Sequence, residues 1–152
     1  MMDSIEFDTV TDVACNKGYY AMYAAKRASS VVGFDLDVKC VQSAINLARE
    51  RKDNAIFAVK NVTDLCDNKL HESLRFSSDL VLALAIVHHL KGVTTIDKFA
   101  KGLSNISKKY IIIEDIGSAP RYRAEFEKLG FELQERVKSH PASRSLALYK
   151  RK

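Results

Sequence analysis

The chain has 152 residues, 47% hydrophobic and 28% charged, the length and usage of one globular domain with one core. No apolar run reaches the ~18–20 residues of a membrane span, no signal peptide opens the chain, and Cys15, Cys40 and Cys66 stand too far apart for a zinc site, so a cytoplasmic protein with free thiols is expected. The net charge of +5 admits nucleic acid as a partner, although Lys108 with Lys109 and the closing Lys150, Arg151 and Lys152 make part of that surplus local.

Apolar and β-branched runs alternate with segments of helical period, the pattern of a mostly parallel sheet covered by helices. The first strand is expected at Thr9 to Ala14. A helix follows Gly18, with Tyr19, Met22, Tyr23 and Ala25 along its buried side. Ser30 to Phe34 reads as the second strand. Asp37 suits the N-cap of a long helix whose Val38, Val41, Ile45 and Ala48 form one stripe. Asn54 to Val59 and Asp79 to Val87 read as the third and fourth strands, the latter apolar nearly throughout, as a central parallel strand should be. Val93, Ile96, Phe99, Ala100 and Leu103 keep helical spacing before a fifth strand at Lys109 to Glu114. Pro120 suits the first turn of a helix with Tyr122, Phe126 and Leu129, and Gly130 suits its stop. Phe131 to Val137 and Arg144 to Tyr149 are joined too briefly for a helical crossover and should pair antiparallel. The expected architecture is α/β: five βα units and a final hairpin.

The first strand runs out through Asp12-Val-Ala-Cys-Asn-Lys-Gly18 directly into a helix. An open α/β sheet binds ligands at such a place, where a strand's carboxyl end meets a helix N-terminus. Small residues let the backbone approach the ligand, yet of a glycine-rich loop only Gly18 is present; Ala14 and Asn16 hold the other two places. The second strand ends in Asp35, 17 residues past Gly18. A dinucleotide fold wants an acid ~20 residues on, accepting from ribose hydroxyls.

These two segments resemble the first two motifs of class I (Rossmann-like) S-adenosylmethionine-dependent methyltransferases. Phe57-Ala-Val-Lys-Asn-Val-Thr-Asp-Leu65 is similar to their third motif, and Asp79 to Leu90, ending in paired histidines and a leucine, to their fourth. The terminal hairpin resembles theirs, so the likeness covers about Asp8 to Lys150. It implies a doubly wound, mostly parallel sheet with helices on both faces and an antiparallel C-terminal hairpin, the seven-stranded methyltransferase fold, in a single domain spanning 1–152. It also implies S-adenosylmethionine as cofactor, S-adenosylhomocysteine as product, and in-line methyl transfer to an acceptor the sequence does not name.

By position, the resemblance assigns Asp12 and the backbone of Ala14, Cys15, Asn16, Lys17 and Gly18 to the methionine end of the cofactor. It assigns Asp35 to the ribose, Leu36 to the adenine face, Asn61 to the adenine amino group and the Val62 N–H to the ring. Ala83 to Ala85 would line the floor near the reacting methyl. Relatives carry helices ahead of the first strand; here only Met1 to Asp8 precede it, so an open cofactor pocket is expected. A second copy, a partner subunit or a large substrate such as RNA would then cover it.

His88 and His89 follow the fourth strand, and one of them is expected to face the acceptor as base or orienting group. Glu114 and Asp115 either contact substrate or are acids at the sheet's rim. Cys15 reads as a small buried thiol, and His71 and His140 as surface residues. Two other readings stand beside this one. A methyltransferase-like scaffold would show no turnover, and a nicotinamide-dependent enzyme would want the G-x-G-x-x-G run that 14–18 lacks.

Overall fold

A computed structural model describes residues 1–67, 77–117, 119–139 and 144–152, with 115 and 116 described by backbone alone. Seven strands form one sheet: β1 (Thr9–Val13), β2 (Ser30–Asp35), β3 (Ala55–Val59), β4 (Ser78–Ala83), β5 (Ser107–Ile116), β6 (Phe131–Lys138) and β7 (Arg144–Arg151). Their order is β3-β2-β1-β4-β5-β7-β6. The first five are parallel, and β7 pairs antiparallel with both β5 and β6. The expected fold and its closing hairpin are therefore present.

Alternation within the strands builds two cores. Leu80 and Leu82 of β4, with Ile112 of β5, face the side covered by α1 (Tyr19–Ala24) and α2 (Val38–Arg51). Val81, Ala83, Ile111 and Ile113 face the other side, covered by α3 (Thr63–Cys66), α4 (Ile96–Ile106) and α5 (Ala119–Lys128). Chain order reverses across β1 and β4, so the helices that follow these two neighbours lie on opposite faces. That leaves a crevice at their carboxyl ends.

Local signals mostly match the sequence. Asp37 caps α2, its Oδ1 accepting from the Lys39 and Cys40 amides at 2.8 and 3.2 Å. Pro120 lies in the first turn of α5, and Gly130 ends it at a φ of 81°.

The differences are local and have causes. β4 stops at Ala83, because its neighbours pair no further than Leu82 on β1 and Ala83 on β5. Ala85 then takes a positive φ, and Val87–His89 form a 3₁₀ turn. The buried side of α1 is Ala21, Met22 and Ala24, while Tyr19, Tyr20 and Tyr23 are exposed. The Tyr23 hydroxyl donates to Asp3, and Arg27 holds the Met2 and Ile5 carbonyls, tying the first residues along this helix. Val38 is exposed at the first turn of α2, and the buried stripe is Val41, Ala44 and Ala48. Val93 lies outside α4 and is exposed. Among the described residues no helix is long and apolar enough to cross a membrane. His71 and His140 lie outside the described residues.

Candidate functional site at the carboxyl edge of the sheet

The loop from β1 to α1 carries a backbone signature that its residue types conceal. Ala14, Asn16 and Gly18 all have positive φ, at 57°, 50° and 76°. These are the three alternate positions where a glycine-rich loop places glycine. Asparagine tolerates the left-handed region; for alanine it costs ~1–2 kcal/mol. The loop has kept the path and given up two of the residues that make it easy.

Gly18 itself is required from below. A Cβ there would lie 2.6 Å from the Phe57 ring, and a Cβ at Gly33 would lie 2.7 Å from the same ring. Phe57 therefore occupies the volume two side chains would need and supports the loop from the β3 side. Its role was not foreseen in the sequence; the signal was a pair of glycines 15 residues apart with a large aromatic on the next strand.

Two carboxylates shape the loop. Asp35 accepts from the Asn16 amide through Oδ2 at 2.8 Å and from the Asp37 amide through Oδ1 at 2.9 Å. Each oxygen retains a lone pair, so these contacts leave acceptor capacity for hydroxyl donors. Asp12 is 2% exposed, and its Oδ2 accepts from the Ala21 amide, 3.2 Å away, in the first turn of α1. Burial drives its carboxyl up to about 7; the Ala21 hydrogen bond opposes the rise and the charge of Asp35 adds to it.

The remaining loop positions divide. The Cys15 thiol is buried, and burial, followed by the charges of Asp12 and Asp35, pushes its pKa up, so it is no thiolate nucleophile. The Cys15 amide donates to the Phe34 carbonyl at 2.9 Å, and the Gly18 amide to the Cys15 carbonyl at 2.8 Å. Asn16 and Lys17 are exposed.

Leu36 is 64% exposed just past β2, an apolar side chain left without cover. Asn61 and Val62 open α3, where the Asn61 Oδ1 accepts from the Thr63 amide at 3.0 Å. That bond uses one lone pair of the acceptor expected to face the adenine amino group. Ala83 is fully buried in the core, which corrects its expected place on the cofactor floor; Leu84 and Ala85 are the accessible residues after β4.

The chain leaving β4 borders a cavity of about 790 Å³. The 3₁₀ turn and the start of α4 form one wall and the first turns of α5 the other. His88 lines it and His89 does not, although both are exposed and their ring centroids are 3.9 Å apart. Partial desolvation, then His89 and the cationic Arg144, hold the His88 imidazole below its ordinary value, against the opposite pull of Glu114. Glu114 is itself committed: Ser139 donates to its Oε1 at 3.0 Å and Arg144 lies 3.5 Å from its Oε2. It fastens β5 to the hairpin, which makes it a structural acid; the Asp115 side chain lies outside the described atoms.

A seven-stranded sheet with its last strand antiparallel, and a left-handed loop between β1 and α1, define the class I methyltransferase fold. The chain belongs to the family of methyltransferase domains, whose model matches residues 11–109, and it is an S-adenosylmethionine-dependent methyltransferase. No curated protein sequence matches it.

Solved structures share the fold at low identity. Magnesium protoporphyrin IX methyltransferase from Synechocystis PCC 6803, with bound S-adenosylmethionine, is 17% identical at a TM-score of 0.75, covering 94% of this chain and 69% of that one. The N-methyltransferase NodS from Bradyrhizobium japonicum, with S-adenosylhomocysteine, is 14% identical at 0.75, covering 99% and 81%. A TehB-like methyltransferase from Corynebacterium glutamicum is 15% identical at 0.70, covering 99% and 85%.

Proposed function

We propose that S-adenosylmethionine binds across the 14–18 loop and that the acceptor of its methyl group approaches from the cavity beside His88. The observation that carries this reading is the run of positive φ at 14, 16 and 18 above the buried carboxyl of Asp12. The residues present fit the cofactor: an anionic group for its ammonium, a close backbone for its methionine end, and an exposed leucine for its ring.

In this reading Asp12 takes the ammonium, with Ala14, Cys15, Asn16, Lys17 and Gly18 supplying backbone. Asp35 accepts from the ribose hydroxyls with its remaining lone pairs. Leu36 packs on the adenine, Asn61 accepts from its amino group, and the Val62 N–H faces the ring. When bound, the cofactor supplies a methyl group already activated by its sulfonium, so the protein chiefly orients the nucleophile. Orientation of this kind is worth ~7–11 kcal/mol in well-aligned systems. His88, neutral at pH 7, takes a proton from an acceptor that carries one. His89 does not line the cavity, and its backbone amide bonds the Ile86 carbonyl at 2.8 Å.

The compartment we assign is the cytoplasm, supported by three free cysteines. A second copy or a partner subunit covers the cofactor; Tyr19, Tyr20 and Leu36, all more than half exposed at this edge, support that. Thermal-shift titration tests the core of the reading. S-adenosylmethionine and S-adenosylhomocysteine should raise the midpoint and NAD should not, since only a ligand of the native state stabilises it. A rise with NAD alone, or with none of the three, would overturn it.

A further inference from the structure

The cavity beside His88 has a charge pattern that narrows what it can hold. Four charged side chains line it: Lys91, Asp97, Arg121 and Glu125. One of the two acids is already ion-paired, and hydrogen bonds hold the other in its ionised form. Glu125 Oε1 receives the Lys128 ammonium at 2.7 Å, and Asp97 is hydrogen-bonded by the Thr95 side chain and by amides of its own helix. Neither Lys91 nor Arg121 has an ion-pair partner among the described residues. Among the described residues, two cations without an ion-pair partner therefore border one concavity, one on each wall, against the single unpaired carboxylate of Asp97. The helix α4 begins at the cavity, adding the positive end of its dipole.

Leu90, Ile96 and the Tyr122 ring give the lining an apolar part, beside the polar Thr94 and Thr95. The volume falls within the ~300–1,000 Å³ of small-molecule sites. Single-stranded nucleic acid would instead ask for cations tracking an extended backbone beside open stacking platforms.

Resting on the methyl-transfer reading above, we infer that the acceptor is a small amphipathic organic acid. Its carboxylate lies between Lys91 and Arg121, its apolar body lies against Leu90, Ile96 and Tyr122, and its nucleophilic atom points toward His88. Arg121 presents a planar fork that suits a carboxylate bidentately, and Lys91 adds a point charge from the opposite wall. These two cations outnumber the single unpaired carboxylate of Asp97, so the pocket favours an anionic acceptor over a cationic one.

The test uses the full chain saturated with S-adenosylhomocysteine and saturation-transfer NMR. The probes are phenylacetate, phenylpropionate and phenylbutyrate, each with its matching amide and amine. The acids should bind, and the amides and amines should bind at least fivefold more weakly. Lys91→Gln and Arg121→Gln should each weaken the acids at least fivefold, while Lys101→Gln, on the exposed side of α4, should not. Equal binding of acids and amines would overturn the inference, as would acid binding unchanged in both variants. Displacement of the acids by a uridine oligonucleotide in the parent, lost in both variants, would give the cavity to RNA and overturn it too. Calorimetry of S-adenosylhomocysteine on the same samples separates the two readings. No cofactor binding sinks methyl transfer, whereas lost acid selectivity with cofactor binding intact sinks the acceptor assignment alone.

Discussion

Replacing Asp12 by asparagine should shift stability relative to the parent upward as pH rises from 4 to 8. The native carboxyl is raised from 3.8 to about 7 by burial. In the unfolded chain the same group ionises near 3.8, so between those values the unfolded state has lost a proton that the folded state keeps. Stability therefore falls as pH rises through this window. Three pKa units at 1.36 kcal/mol each give a loss of about 4 kcal/mol once pH exceeds 7, with about 1.5 kcal/mol of it in place by pH 5. Asparagine keeps an oxygen for the Ala21 amide and removes the charge. Its own buried NH₂ group subtracts ~1–3 kcal/mol if it finds no acceptor, but that offset does not depend on pH. Urea unfolding at half-unit steps from pH 4 to 8 reads the difference. The gap between variant and parent should widen by about 3 kcal/mol from pH 5 to 8. Curves that stay parallel across this range would refute the argument.

Ala14→Gly should stabilise the fold by roughly 0.5–1 kcal/mol, because relief of the left-handed alanine exceeds the added freedom of the unfolded glycine; a lower denaturation midpoint would contradict it. Asp35→Ala removes two amide contacts, so it should lower stability, and it should also weaken S-adenosylhomocysteine binding at least tenfold, about 1.5 kcal/mol. Calorimetry showing parental affinity would take Asp35 out of the site. With an acceptor that must lose a proton, His88→Gln should cut turnover ~100-fold with cofactor affinity unchanged, and His89→Gln should not. The parental rate should rise with pH to a plateau through a midpoint below the ordinary histidine value, since the imidazole must be neutral; equal rates in both variants would leave the reaction to positioning alone.

The sheet was legible because long apolar strands and amphipathic helices leave a periodic trace, and β7 was placed by loop length alone. The misreadings fall where that trace is short. Six residues of α1 span less than two turns, so Tyr19 and Tyr23 outweighed the small Ala21 and Ala24 that pack. Val38 sits at a helix end that overhangs the core, and the β4 run outlasts its paired neighbours. In the site, Asp12 and Asp35 were found by position, but their burial and amide partners belong to the folded chain. Lys91, in the turn before α4, and Arg121, in α5, lie 30 residues apart without motif spacing, and only the fold brings them to one cavity.

The 14–18 loop shows why a glycine motif can fade while its geometry persists. What binding needs is a backbone path with positive φ at alternate positions, and glycine is merely its cheapest occupant. Here the path is over-determined from outside the loop. Phe57 fills the space behind Gly18 and Gly33, Asp35 grips the Asn16 amide, and Phe34 receives the Cys15 amide. Strain at Ala14 persists because these contacts hold it, as strain at functional sites generally does. The buried carboxyl of Asp12 destabilises the free protein above pH 5 in the same way, and in the proposed binding mode a ligand's ammonium would relieve that cost by favouring the ionised form. Affinity for a cationic ligand should then rise with pH through 7, for the same physical reason that stability of the free protein falls.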